Sequence, residues 1–107
     1  MNKYLFKFRR YKKKEGDKNV RHTKLIVDET IDEYGYMGLT ESKMDGHHHN
    51  IKLAINPKKG DTRDSYLRKR IQYDKKNRFS EILSNYNLSD FDKTNVEKYV
   101  IMHKKKK

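Results

Sequence analysis

The sequence predicts a mainly β domain, a small and strongly twisted sheet or partly open barrel carrying one C-terminal helix. Three observations predict it. Short β-branched and aromatic runs recur between polar turn segments along most of the chain. A helical repeat of apolar residues appears once, after Ser89. The length of 107 residues suits a single small core, because two domains need roughly 200 residues. Residues 1–103 are therefore read as one domain and 104–107 as a basic tail.

The elements follow in order. Tyr4-Leu5-Phe6-Lys7-Phe8 is aromatic and partly alternating, the pattern of a strand, and residues 9–19 are a charged loop around Gly16-Asp17. Thr23-Lys24-Leu25-Ile26-Val27 is the clearest buried strand. A turn over residues 28–33 leads into Tyr34-Gly35-Tyr36-Met37-Gly38-Leu39-Thr40, the returning strand of a hairpin, whose two glycines mark close approach or strong bending. Residues 41–50 read as a polar loop, 51–55 as an alternating strand, 57–64 as a charged turn and 65–73 as one further strand. A turn over 74–77 precedes a last extended run over 78–83. Ser89 is the expected N-cap of the helix, with Asp90 and Asp92 suited to its positive end and Val96, Tyr99 and Val100 on one face.

Composition excludes several classes. Apolar residues make up 33% of the chain, but twelve aromatics, eight of them Tyr, argue against disorder over most of it. With no cysteine there is no disulfide framework, thiolate zinc site or cysteine nucleophile. One proline and five glycines exclude collagen-like and Pro/Gly-rich chains. No apolar run is long enough to span a bilayer, and the charge at Lys7 interrupts what would be a secretory leader, so the expected location is cytoplasmic and no membrane partner is expected.

Charge is distributed unevenly. The net charge is +12, with +8 in residues 1–24, −4 in 25–57, +6 in 58–80 and +2 in 81–107. Two basic blocks that meet in space make one positive face, the footprint of a polyanion partner. An excess of this size is larger than solubility requires, and no basic block has the helical apolar face that a membrane surface would take.

Few motifs carry chemistry by themselves. His47-His48-His49 invites a metal, but consecutive side chains of a strand cannot all face one ion, so the run reads as a solvated loop and the metal expectation is none. In a secondary role, His22, His47 and His49 offer imidazoles to a phosphate or for proton transfer. Asp28, Glu29, Asp32 and Glu33 form an acidic hairpin tip, a poor basis for metal-dependent nuclease chemistry. Phosphate-cradling glycine loops and nucleophile elbows are absent. What remains is metal-free, cofactor-free chemistry on a polyanion, which needs a guanidinium and a hydroxyl at one place. Arg21 and Thr40 are the pair singled out, because the hairpin sets positions 21 and 40 roughly opposite each other at its open end. Tyr66, Arg68, Arg70 and Tyr73 interleave rings and cations in the manner of a single-strand binder. Lys18, Lys24, Lys43 and Arg63 are the further cations expected to bind nucleic acid.

At these residues the chain resembles the MazF/PemK (Kid) ribonuclease toxins of type II toxin–antitoxin systems. Gly16-Asp17-Lys18-Asn19-Val20-Arg21 followed by Lys24-Leu25-Ile26-Val27 is similar to that family's basic loop and aliphatic strand, with His22 where a proline normally follows the arginine. Met37-Gly38-Leu39-Thr40-Glu41-Ser42-Lys43, Asp64-Ser65-Tyr66-Leu67, Tyr73-Asp74-Lys75-Lys76-Asn77-Arg78-Phe79 and Leu88-Ser89-Asp90-Phe91-Asp92 resemble its later segments in the same order. The resemblance implies an SH3-like, partly open barrel that is a homodimer, is held by an acidic antitoxin, and cuts single-stranded RNA without a metal. Arg21 would then stabilise the phosphorane and Thr40 would supply a hydroxyl to the phosphate. The rival reading is a non-enzymatic basic barrel that binds nucleic acid or inhibits a nucleic-acid enzyme.

Overall fold

A computed structural model of the chain describes residues 5–12 and 22–104. Its elements run β1 (Phe8–Arg9), β2 (Lys24–Glu29), β3 (Glu33–Thr40), β4 (Met44–Asp45), β5 (His48–His49), β6 (Ile51–Lys52), β7 (Tyr66–Leu67) and β8 (Gln72–Lys75), then a 3₁₀ turn at Lys76–Arg78 and the helix α1 (Asp90–His103). The class is mainly β with one C-terminal helix, as the sequence predicts. All strand pairs are antiparallel, in the order β1-β2-β3-β7-β6 with β8 also on β3, while β4 and β5 form a separate two-stranded arm. Among the described residues β1 and β6 do not pair, so the main sheet is open.

The β2–β3 hairpin is the spine, and its sequence explains why. Leu25 and Val27 turn to one side, into a core with Met37, Leu53, Leu67 and the helix residues Val96 and Val100. Ile26 turns to the other side, onto Tyr36 and Phe79, with Tyr11 and Tyr34 at the edge. A strand buried on both faces reads as a continuous apolar run rather than an alternating one, which is the pattern of Leu25-Ile26-Val27. The ladder runs from Lys24↔Gly38 to Ile26↔Tyr36 and then jumps to Asp28↔Gly35, a bulge that leaves Val27 as the extra residue and bends the hairpin. At Gly35 the ring of Tyr73 lies where a side chain would stand. A Cβ there would meet Tyr73 Cε2 at 2.6 Å, and the ring is tied in place by its hydroxyl, which donates to Asp28 Oδ2 at 2.6 Å.

Four expected strands differ from the observed ones, each for a local reason. Among the described residues of the N-terminal run the strand is Phe8–Arg9, because Phe6 adopts φ 62°, in the left-handed region, and turns the chain, although its N–H still bonds Ile26 O at 2.7 Å. Residues 65–73 are two strands rather than one. Leu67 pairs with Leu39 but Gln72 pairs with Tyr36, so this segment spends five residues against three of β3, and the surplus bulges out as exposed Lys69 and Arg70. The strand over 51–55 stops at Lys52, with one further ladder bond from Leu53 N–H to Ser65 O, because Ala54 and Ile55 donate instead to the Asp92 carboxylate at 2.8 and 3.2 Å. The run over 78–83 makes a single bridge, Tyr11↔Phe79, in place of a strand. Conversely, the polar loop over 41–50 contains the β4–β5 arm.

The helix begins where the capping residues place it. Ser89 Oγ accepts the Asp92 N–H at 3.2 Å and donates back to Asp92 Oδ2 at 3.0 Å. Asp92 is 2% exposed, so one buried carboxylate caps the helix and also holds residues 54 and 55 against its first turn. Val96 and Val100 are buried, and Tyr99 packs on the same core at its edge. The two strand glycines give a direct test. Gly35→Ala is expected to lower stability by about 1–3 kcal/mol in urea unfolding, through the clash with the fixed Tyr73 ring. Gly38→Ala, where only the flexible Arg68 side chain stands close, at 3.3 Å, should fall within about 0.5 kcal/mol of the parent.

Candidate nucleic-acid interface

Two cavities, of about 390 and 420 Å³, lie end to end on the side of the sheet where β2 starts and β3 finishes, and share His22, Leu39 and Arg68 along their common wall. Together they form one groove. The first half is rich in hydroxyls, with Thr23, Thr40, Ser42, Ser65 and Tyr86 in its lining. The second half is lined by Lys24, Arg78, Tyr11 and Tyr36 along with Arg68.

Residues from the two basic blocks meet at Tyr11. Lys24 Nζ lies 4.0 Å and Arg78 Cζ 4.5 Å from the centroid of its ring. The Tyr11 hydroxyl shares a hydrogen bond of 3.0 Å with Tyr36 and donates to Asp74 Oδ2 at 2.8 Å, and Arg78 Nη1 donates to the same carboxylate oxygen at 2.6 Å. Burial, with these hydrogen bonds behind it, holds the Tyr11 phenol well above the ordinary tyrosine range. Lys24 is itself 4% exposed, with its ammonium donating to His22 O at 2.9 Å, so its charge is anchored inside the groove wall rather than extended into solvent.

The hairpin brings the expected catalytic end together with a shift of one residue. Leu39 N donates to Thr23 O, next to the Lys24↔Gly38 pair, so position 22 rather than 21 stands across from Thr40. His22 is exposed and lines both halves of the groove, and Thr40 lines the first half. Thr40 Oγ1 accepts the Ser42 N–H at 3.1 Å, which leaves its hydroxyl proton to donate to a ligand. Arg21 and Lys18 lie outside the described residues.

The remaining expected contacts divide sharply. Arg68 is central: its side chain covers Gly38, lines both cavities and pairs with Asp45 at 3.0 Å. Arg63 lines the first half but pairs with Glu41 and Asp61, each at 2.7 Å, and together with its own backbone N–H it holds the Asp61 carboxyl down at about 2. Its charge is thus already met by two carboxylates. Lys43 and Arg70 are exposed, outside the lining of the groove. Tyr66, expected to stack on nucleic acid, is 5% exposed within β7, and Tyr73, expected to do the same, packs against Gly35 and donates to Asp28; neither lines the groove. His47, His48 and His49 are exposed on the arm, where alternation turns neighbouring His48 and His49 to opposite faces of β5. Among the described residues, no group of three or more His, Asp or Glu is placed to hold a metal ion.

Sequence reasoning missed Arg10, Arg78 and Tyr86. Arg10 Nε donates to Thr23 Oγ1 and Nη2 to Tyr86 OH, both at 3.2 Å, and these bonds fix two hydroxyls of the first half. The available signal was the Arg9-Arg10 pair following a strand residue, since alternation must send one of two adjacent arginines to each face. No described helix is long and apolar enough to cross a membrane. Neither a protein-family model nor a curated protein nor a solved structure matches the chain.

Two outcomes follow from the geometry. In an ultraviolet titration, Tyr11 should resist ionisation at pH values where ordinary tyrosines lose their protons. The sign of the linkage follows: with the folded-state value raised, stability is full below the ordinary tyrosine range near pH ~10 and declines as pH rises through and beyond it. Tyr11→Phe should remove that alkaline decline. Replacing His47, His48 and His49 together with Ala should leave the urea midpoint nearly unchanged, because all three are exposed on the arm.

Proposed function

We propose that the groove binds the sugar–phosphate backbone of single-stranded RNA and that the chain is a metal-independent endoribonuclease on an SH3-like, partly open barrel. The observation that carries this reading is the convergence of Thr40, His22 and Arg68 on one groove, with Arg21 next to His22 in the chain. Transesterification needs few parts. The 2′-OH attacks the adjacent phosphorus, the bond to the 5′ oxygen breaks, and the products are a 2′,3′-cyclic phosphate and a 5′-hydroxyl end. One proton leaves the 2′-OH and one reaches the departing oxygen, a transfer suited to an imidazole such as His22. The guanidinium of Arg21 opposes charge on the phosphorane oxygens, and the Thr40 hydroxyl donates to one of them. Lys24, Arg68 and Arg78 attract and align the strand along the second half of the groove. An acidic antitoxin, as the family resemblance implies, would compete for the same cations.

The test is incubation of the purified full chain with a long single-stranded RNA in the presence of a chelator. Discrete cuts ending in cyclic phosphate are expected. Arg21→Ala should slow them by about 10²–10³-fold, while Thr40→Ala should slow them less and RNA affinity should fall little in either variant. Binding should weaken steeply with salt, with a slope of several released counterions. Salt-dependent binding with no cuts would leave the non-enzymatic binder in its place, and a salt-independent response would remove the polyanion reading itself.

A further inference from the structure

We infer that Asp45, carried on the β4–β5 arm, is a built-in anion that occupies the Arg68 phosphate seat and must be displaced when a polyanion enters the groove. Arg68 stands on the wall common to both halves, so a strand running the length of the groove passes it. In this structure its Nη1 is taken by Asp45 Oδ2 at 3.0 Å. The carboxylate comes from a small exposed arm, which the solvent-exposed Glu41–Arg63 ion pair, at 2.7 Å, also ties to the body near its base. Among the described residues β4 and β5 pair with each other and with no strand of the main sheet, and every residue from 41 to 49 is exposed. Among the described residues, the arm is closed at its base by Asn50, which is buried, donates its backbone N–H to Lys43 O at 3.0 Å and donates its side-chain amide to Ser42 O at 2.9 Å.

The energetics favour exchange over permanent closure. The side chains of Arg68 and Asp45 are 38% and 46% exposed, so the pair is partly solvated and weak. A phosphate offers the guanidinium two parallel hydrogen bonds where Asp45 meets it through Nη1 alone, and it brings neighbouring phosphates to Lys24 and Arg78. Arg68 keeps its stem fixed over Gly38 in either case, so only the arm needs to move. The consequence is a toll on entry that short or singly charged anions pay in full and a polyanion recovers along the groove.

This inference rests on the proposed RNA groove, and the experiment separates the two. Binding of a fluorescent single-stranded RNA oligomer and of inorganic pyrophosphate is measured at low salt for the parent, Asp45→Asn, Arg68→Gln and the double variant. Asp64→Asn, which removes an exposed acid whose nearest cation is Lys52 at 3.9 Å, controls for net charge. Asp45→Asn should bind both anions about two- to five-fold more tightly, with a smaller gain for Asp64→Asn, and the gain should vanish in the Arg68→Gln background. A gain that persists without Arg68, or equals that of Asp64→Asn, would reduce the effect to bulk charge and overturn the inference. An unchanged affinity in Asp45→Asn would overturn it as well, with the RNA groove still standing. If RNA fails to bind any variant while pyrophosphate shows the Arg68-dependent gain, the RNA reading falls and the internal anion survives. Binding of neither anion by any variant would overturn both.

Discussion

The rest of the structure depends on β2 being covered from both sides. One face of Leu25 and Val27 needs α1 and the strands around Leu53 and Leu67, and the opposite face of Ile26 needs Tyr36 and Phe79. A chain this small cannot build a third layer of secondary structure over that second face. It uses rings instead, and covers the rings with cations. Lys24 and Arg78 lie over Tyr11, and Arg9 and Lys76 lie over Tyr34, at 5.1 and 5.4 Å. Part of the basic surplus is therefore a cover over an aromatic cluster, in which cations lie on ring faces and their stems cover apolar surface.

That dual use explains the character of the groove. A purely structural cation would be hidden by its ring and a purely ligand-binding one would stand free. Lys24 and Arg78 are placed for both, since both lie over Tyr11 and both line the same cavity. On the proposed reading, substitutions at such positions affect stability and binding together, so a loss of RNA binding at Lys24 says less about contact than one at Arg68, whose side chain lies over Gly38.

The sequence made the class, the central hairpin and the helix start legible because each depends on neighbours close in the chain. Leu25-Ile26-Val27 declares a strand buried on both faces, and Ser89 with Asp92 declares a helix start. The shorter strands were obscured by partners distant in sequence. Nothing local in residues 51–55 announces that Asp92 takes the N–H groups of Ala54 and Ile55, and nothing in residues 65–73 announces a register gap against β3. At the site, Thr40 and Arg68 were legible from hairpin position and charge. The burial of Tyr66 was not, because an alternating pattern gives a strand without saying which face is solvent. The offset that sets His22 across from Thr40 came from pairing register, which turn length alone did not specify.

The arm has a consequence for how such a chain can diversify. Its tip, at Gly46 with φ 64°, is exposed, polar and remote from both clusters of the core. Segments of that kind accept insertions and replacements without disturbing the domain that bears them. As long as Asn50 closes the base, the residues between can lengthen, shorten or change sign. The reach of the arm toward Arg68 can therefore drift independently of the scaffold.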